Sequence, residues 1–114
     1  MHELSFAIDL LAAVEQNLGP GDRRVVRVIV SVGSATGIAP ESLRFAFHAV
    51  AIGTRAEGTE LTVTPTAARC RCVDCGTVFE FEGMIGHCLR CGRLGGKMLS
   101  GDEVMLQAIE VADV

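Results

Sequence analysis

Residues 70–92 read CRCVDCGTVFEFEGMIGHCLRCG and hold all five cysteines of the chain. Cys72 and Cys75 form one Cys-x-x-Cys pair, and Cys88 and Cys91 form a second, with 12 residues between the pairs. The two-residue spacing lets one tight turn direct two thiolates at a single cation, and two such turns complete a tetrahedral shell of sulfur. The stretch therefore predicts a four-cysteine metal site around which the second half of the chain is organised.

A structural zinc ion suits this site best, because four thiolates close the coordination shell and leave no position for a substrate. Gly76 and Gly92 directly follow the two pairs and supply the positive φ that such turns need. Iron held by four cysteines has the same ligand geometry and stays open on spacing alone. Two disulfides are disfavoured because nothing indicates export, and a thioredoxin-type redox site would use one pair. Cys70 is expected to be a small packing residue.

The composition excludes several classes of protein. At 114 residues the chain is one domain, or one domain with a metal-stabilised insert. The formal net charge is −4, and there is no Trp or Tyr to stack on bases, so no nucleic-acid partner is expected. No apolar run approaches the roughly 20 residues of a membrane span, and no signal peptide is visible, so no membrane association is expected. Five cysteines with metal spacing and no export signal predict a cytoplasmic location.

Two helices are predicted before the cysteines. The first begins almost at the first residue and ends before Gly19, which Pro20 follows. Apolar residues at helical spacing define its expected buried face: Leu4, Ala7, Ile8, Leu11, Val14 and Leu18. The second helix is expected to start at Pro40, a residue favoured in a first turn, and to end at Gly53. Its expected buried stripe is Leu43, Ala46, Phe47 and Val50.

Alternating segments predict three strands, at Arg24–Val32, at Leu61–Thr64 and at Val104–Val111. In the first strand one face is expected to carry Val26, Val28, Val30 and Val32. Within the cysteine segment, Phe79 and Phe81 indicate a hairpin strand that covers the metal site or its apolar surroundings.

The order helix, strand, helix, strand, metal insert, strand predicts an α+β fold. The last strand is expected to return to the first sheet. This makes the first domain discontinuous, with residues 1–65 and 101–114 on either side of a metal-binding domain at residues 66–100.

The first residues, Met1-His2-Glu3, offer a metal site of another kind. The bulk of His2 predicts that Met1 is retained, so the chain begins with an α-amine, a backbone amide and an imidazole. These three nitrogens can chelate one metal, with the Glu3 amide or an external ligand in a fourth position. Tetragonal nitrogen coordination is typical of Ni(II) or Cu(II), and an open site at a chain end suits metal transfer better than catalysis. Taken alone, however, an N-terminal histidine is more often a solvated side chain.

The chain resembles the HypA/HybF family of hydrogenase nickel-incorporation proteins over nearly its whole length. The specific part of the resemblance is the initial Met1-His2-Glu3 together with the paired knuckles. Supporting segments are the valine-rich strand ending at Val32-Gly33, the stretches 39–47, 53–54 and 57–58, and residues 106–111. The sequence departs from the family at Leu89, where proline is common. His87 is the only histidine beside the cysteines, which weakens any exchange of histidine into the zinc shell.

The resemblance implies a non-enzymatic metallochaperone. It implies that His2 binds Ni(II), with Met1 and backbone nitrogens near Glu3 taking part, while Cys72, Cys75, Cys88 and Cys91 hold a structural zinc. The implied recipient is the large-subunit precursor of a nickel-iron hydrogenase, with urease served in some organisms. The implied partner is HypB, the nickel-binding GTPase of hydrogenase maturation. The implied fold is a three-stranded antiparallel sheet with two helices, plus a zinc-ribbon-like domain.

Two alternatives remain from the residues themselves. One is a zinc-ribbon module that binds another protein and never handles nickel. The other is a small redox protein with iron in the four-thiolate shell. Neither alternative accounts for Met1-His2-Glu3 at the start of the chain.

Overall fold

A computed structural model describes residues 2–83 and 85–112, with only the backbone of His2. Its elements in chain order are α1 (His2–Leu18), β1 (Val25–Gly33), a 3-10 turn (Ser34–Thr36), α2 (Pro40–Val50), β2 (Glu60–Thr66), β3 (Ala68–Arg71), β4 (Val78–Phe81), β5 (Lys97–Ser100) and β6 (Val104–Val111). No helix among the described residues is long and apolar enough to cross a membrane.

The strands form two three-stranded sheets, in the orders β2-β1-β6 and β4-β3-β5. In the first sheet, backbone hydrogen bonds join Gly33 to Glu103 and Ala112 to Arg24, so β6 returns antiparallel to β1. In the second sheet, β3 pairs antiparallel with both β4 and β5. Two helices with small antiparallel sheets confirm the predicted α+β class, and the last strand joins the first sheet as expected. The sequence did not predict β5, a four-residue strand with one half-buried apolar side chain.

By its internal packing the chain divides into two compact units. We call Met1–Ser31, Ile38–Thr64 and Met105–Val114 the helical unit, and Val32–Gly37 and Pro65–Val104 the cysteine unit. The boundaries at 65/66 and 100/101 that the sequence suggests for folding domains stay a prediction, because compact packing does not test independent folding.

The buried face of α1 differs from the predicted one. Ala7, Leu10 and Val14 are buried, whereas Leu4 and Ile8 are exposed. Apolar residues surround much of this helix, so its sequence alone defines no single stripe. α1 packs against α2, and its buried residues are Ala7, Leu10 and Val14. In α2 the prediction is confirmed for Leu43, Ala46 and Phe47, whereas Val50 is half-buried.

The start of β1 also departs from simple alternation. Val25 is buried and Val26 is exposed, whereas Val28, Val30 and Val32 are buried as predicted. The expected face was therefore wrong at Val26. The buried positions step from 25 to 28, which a period of two does not reproduce.

Arg55, in the turn after α2, makes hydrogen bonds to the end of α1 and to the loop that follows it. Its guanidinium donates hydrogen bonds to the carbonyls of Gly19 and Gly21 at 2.8 Å each, and to Glu15 Oε2 at 3.1 Å. The helix ends at Leu18, and Gly19 has φ 69, as expected for a glycine C-cap. Arg55 thus supplies donors to carbonyls of the loop that follows the helix.

Replacing Arg55 with alanine is expected to lower the free energy of unfolding by about 1–3 kcal/mol, because the hydrogen bonds of this largely buried guanidinium to two carbonyls and to Glu15 are lost. Urea denaturation followed by circular dichroism measures this loss. Arg23→Ala removes an exposed arginine two residues after Gly21 and serves as the control, with little expected change. Equal effects of both substitutions would contradict the structural role of Arg55.

In the cysteine unit, Ser34 of the 3-10 turn makes hydrogen bonds to both β3 and β4. Ser34 Oγ donates to the carbonyl of Phe81 at 3.3 Å and accepts from the Ala68 N–H at 3.0 Å. A Cβ added at Gly33 would lie 2.0 Å from the Gly101 carbonyl oxygen, so the backbones approach too closely for any side chain. These contacts fix β3 and β4, which lead into and out of the first knuckle.

Candidate metal centres

The two Cys-x-x-Cys knuckles have the same backbone hydrogen bonding. In the first, the Cys72 N–H donates to the Thr77 carbonyl at 2.9 Å and the Gly76 N–H to the Cys72 carbonyl at 2.9 Å. The second repeats both bonds sixteen positions later in the sequence, from Cys88 to Arg93 and from Gly92 to Cys88, at 2.8 Å each. Gly76 and Gly92 adopt φ of 75° and 80°, which confirms the predicted left-handed turns.

The four sulfurs predicted as metal ligands lie together. Cys72 and Cys91 sulfurs are 3.6 Å apart, as are those of Cys75 and Cys88, and the four lie within 4.8 Å of one another. A tetrahedral zinc ion with Zn–S bonds of about 2.3 Å requires sulfurs about 3.8 Å apart. All five cysteines are free, so the alternative of two disulfides is not realised. The arrangement fits one four-coordinate cation, and the donor set is one that zinc and iron share.

The thiols do not ionise alike without a cation. Contacts with the Thr77 hydroxyl, 3.2 Å from the sulfur, and then with the Thr77 backbone lower the pKa of Cys75 to about 6. The Arg93 backbone acts to lower the pKa of Cys91. The Cys72 sulfur, partial desolvation and the other two sulfurs outweigh it and raise this pKa to about 11. Four crowded sulfurs therefore cannot all carry charge at neutral pH unless a cation balances them.

One side of the cluster is covered by the small core of the cysteine unit. Cys72 and Cys88 are buried with Phe79, and Phe81 and Met98 pack against them. Phe79 and Phe81 thus lie where the sequence placed them. Cys70 is buried in the same core, with its sulfur 4.0 Å from that of Met98 and outside the four-cysteine set. The other side is open, because Cys75 and Cys91 are exposed.

An ion pair that sequence reasoning missed links the two knuckles. Arg93, directly after the second knuckle, donates from one terminal nitrogen to both carboxylate oxygens of Asp74 at 3.0 Å. Asp74 lies between the cysteines of the first knuckle. Asp74 raises the pKa of Arg93, and the charges of the Cys72 and Cys91 sulfurs raise it further. The guanidinium therefore joins the knuckles and lies close enough to offset part of the thiolate charge.

Replacing Arg93 with glutamine is expected to accelerate metal loss to a chelator a few-fold, and by no more than about fivefold because the pair is exposed to water. Release to a chromophoric chelator measures the rate. Arg90→Gln removes the same charge from an exposed position between Cys88 and Cys91 and is the matched control. If both variants release metal at the same rate, the link to Asp74 contributes nothing beyond charge.

Of the predicted nickel residues, the structure describes Glu3 and the backbone of His2, which lie at the start of α1. Met1 and the side chain of His2 fall outside the described residues, so no geometry is assigned to them. The backbone of His2 begins the helix, and Glu3 follows in its first turn. The Glu3 side chain is half-buried and lines a small cleft with Glu41, Ser42, Phe45 and Ala46.

Neither of the other two histidines joins a metal cluster within the described residues. His48 is exposed, and its Nε2 lies 2.9 Å from the Thr59 carbonyl oxygen. His87 is exposed and pairs through its backbone with Leu94. The four-cysteine set contains no histidine.

The fold and the cluster define a small α+β protein with a tetrathiolate metal site. The family model described as "Hydrogenase/urease nickel incorporation, metallochaperone, hypA" matches residues 1–111. The chain belongs to the HypA family, a family of nickel metallochaperones for hydrogenase maturation. This confirms the resemblance seen in the sequence. A metallochaperone carries metal rather than catalysing a reaction, which agrees with the expected non-enzymatic role.

Relatives match over their full lengths. The chain is 39% identical to the hydrogenase maturation factor HypA of Chlorobium limicola over 114 residues, covering 99% of this chain and 98% of the relative. It is 32% identical to that of Geobacter sulfurreducens, covering 97% and 99%. The solution structure of the Ni metallochaperone HypA from Helicobacter pylori matches with a TM-score of 0.70 at 22% identity, covering 97% of each chain. That structural likeness shows a shared fold.

Proposed function

We propose that this chain binds Ni(II) at its N-terminus, through the Met1 amine, the His2 imidazole and backbone nitrogens up to Glu3, and delivers it to a nickel-iron hydrogenase precursor. The observation that carries the proposal is that the nickel-incorporation family model matches from residue 1, so the match includes these three residues.

The helical backbone at His2 and Glu3 is compatible with such a site. The first four N–H groups of a helix have no intrahelical acceptor. A backbone nitrogen in this turn can therefore lose its proton to a metal without breaking a helix hydrogen bond. Each deprotonated amide also adds a negative charge next to the cation. Nitrogen donors of this kind suit Ni(II) in tetragonal geometry.

We assign a structural Zn(II) to Cys72, Cys75, Cys88 and Cys91. The support is the closeness of the sulfur separations to those of a tetrahedral zinc site and the pKa pattern, which calls for a balancing cation. Zinc has no redox chemistry and holds a closed shell, so it stabilises the cysteine unit while nickel is carried elsewhere.

The role in maturation implies contacts with other maturation proteins. We propose the nickel-binding GTPase HypB as the partner that exchanges nickel with this chain, and the hydrogenase large-subunit precursor as the recipient. Service to urease is the second assignment that the family description supports. Partners of this kind support the cytoplasmic location that we propose for the chain.

Equilibrium dialysis of untagged protein, followed by elemental analysis, tests the function. We expect one zinc per chain whether or not nickel is present, and one additional nickel when it is supplied. Zinc without nickel binding would favour an interaction module, and iron in place of zinc would favour a redox protein.

A further inference from the structure

The helix α2 carries two large apolar side chains on the side that faces away from the core. Phe45 and Ile52 are 79% and 70% exposed. They are seven positions apart, and Ala51 after the helix end keeps right-handed helical dihedral angles, so both side chains lie on the same side of the helix. The buried residues of α2, on the opposite side, are Leu43, Ala46 and Phe47. We define the outer face of α2 as Glu41, Phe45, His48 and Ile52.

The spacing on the outer face is the one that helix packing uses. Apolar side chains seven positions apart form a seam along which a second helix can lie. Phe45 and Ile52 add nothing to the core of the helical unit, because most of their surface stays in water. Their apolar surface is removed from water only when another molecule covers this face.

One end of the outer face is acidic. A cleft of about 380 Å³ lies beside Phe45, between the starts of α1 and α2, and Glu3 and Glu41 both line it. Among the residues that the structure describes, no lysine or arginine lines this cleft. No ion pair between described residues involves either carboxylate. Two unbalanced carboxylates beside an exposed aromatic ring favour a cation, because charge pairing and the ring face both attract it.

The cleft on the other side of α2, between α2 and β2, does not offset this charge. Its one arginine, Arg44, donates from Nε to the Leu61 carbonyl at 3.1 Å and so is directed towards β2. The charge of Arg44 is balanced within the same cleft by Glu57, and Glu60 pairs with Arg27 at 3.1 Å. The acidic excess therefore lies at the end of the outer face that holds Glu41.

The charge selects among the molecules that could cover this face. Nucleic acid and anionic membranes would bring more negative charge to Glu3 and Glu41. The outer face of a second copy of the chain would bring no lysine or arginine, because its four residues include neither. A basic partner supplies the missing cation.

We propose that the outer face of α2 binds a basic, amphipathic helix of a partner protein. Apolar side chains of that helix cover Phe45 and Ile52, and one of its lysine or arginine side chains enters the cleft between Glu3 and Glu41. The proposal does not require nickel binding, because it uses side chains of α2 and the carboxylate of Glu3, none of which is an assigned nickel donor.

Selection of a phage-displayed library of random fifteen-residue peptides on the zinc-loaded full chain tests the proposal. We expect enrichment of peptides that combine lysine or arginine with apolar residues at helical spacing. Synthetic versions should bind Phe45→Ala roughly tenfold more weakly than the unaltered chain, because a buried apolar contact is lost. Leu94→Ala truncates a side chain that is 73% exposed in the cysteine unit, and it should bind normally.

Reversing a charge tests the acidic end of the face. Glu41→Lys should weaken binding of the same peptides roughly tenfold, because it replaces attraction by repulsion. Asp9→Lys makes the same kind of change at an exposed position of α1 outside the cleft, and it should have a much smaller effect. Added salt should weaken binding to the unaltered chain.

Phe45 and Glu41 are exposed, so both variants should keep their fold, and circular dichroism checks this. Absence of enrichment, enriched peptides without basic residues, or equal binding to Phe45→Ala and to the unaltered chain would each overturn the proposal. Equal effects of Glu41→Lys and Asp9→Lys would overturn it as well. Nickel affinity is expected to be the same in Phe45→Ala and the unaltered chain, so a failure of the nickel proposal would be seen separately.

Discussion

Replacing Cys72 with serine is expected to unfold the cysteine unit and leave the helical unit folded. Cys72 is buried, and its sulfur is 3.6 Å from that of Cys91, so the substitution removes one quarter of the thiolate shell from the centre of the site. Small zinc sites supply about 10–16 kcal/mol of apparent binding free energy. The core around the cluster consists of few large side chains, chiefly Phe79 and Phe81, and cannot replace that contribution.

Limited proteolysis with zinc analysis measures this effect. Cleavage should be confined to Pro65–Val104, and the variant should purify with little zinc. Cys70→Ser is the matched control, because Cys70 is equally buried but lies outside the four-cysteine set. It should retain zinc. Cleavage throughout the chain would show that the two units do not fold separately, and a zinc-free but protease-resistant variant would contradict the structural role of the metal.

Replacing His2 with alanine is expected to weaken Ni(II) binding by roughly 100-fold or more, because it removes a direct ligand, whereas loss of an outer partner alone costs 10–100-fold. Zinc content and the circular dichroism spectrum should not change, because the cysteines are far along the chain. Isothermal titration with nickel on untagged protein gives the affinity. His48→Ala and His87→Ala replace the only other histidines and are the controls, with nickel affinity expected to be unchanged.

A second variant tests whether the α-amine of Met1 binds nickel, without altering any side chain. Adding a glycine-serine dipeptide before Met1 converts the amine into an amide and moves the new amine away from His2, so nickel binding should weaken. Unchanged nickel affinity in both the extended chain and His2→Ala would place the nickel site elsewhere.

Features set by local sequence were predicted more fully than features set by contacts between distant residues, although the return of β6 to the first sheet was predicted. The geometry of each knuckle can be predicted from a few neighbouring residues, because it depends on the spacing of two cysteines and on a glycine that tolerates positive φ. The buried face of α1 depends on packing against α2, which explains the exposed Leu4 and Ile8. The ion pair formed by Asp74 and Arg93 joins residues 19 positions apart. In the sequence both look like ordinary charged surface residues, so no pattern indicated that they pair.

The two metal centres also differ in the evidence that supports them. The tetrathiolate site is predicted by spacing and is present as a cluster of sulfurs. The N-terminal site rests on donor chemistry and on family membership that begins at residue 1.

X-ray absorption at the nickel and zinc edges of untagged, metal-loaded protein tests the separation of the two centres most directly. We predict only nitrogen and oxygen neighbours around nickel, including the scattering pattern of an imidazole, and four sulfur neighbours at about 2.3 Å around zinc. Sulfur in the first shell of nickel would contradict the account, because it would place the carried metal among the cysteines.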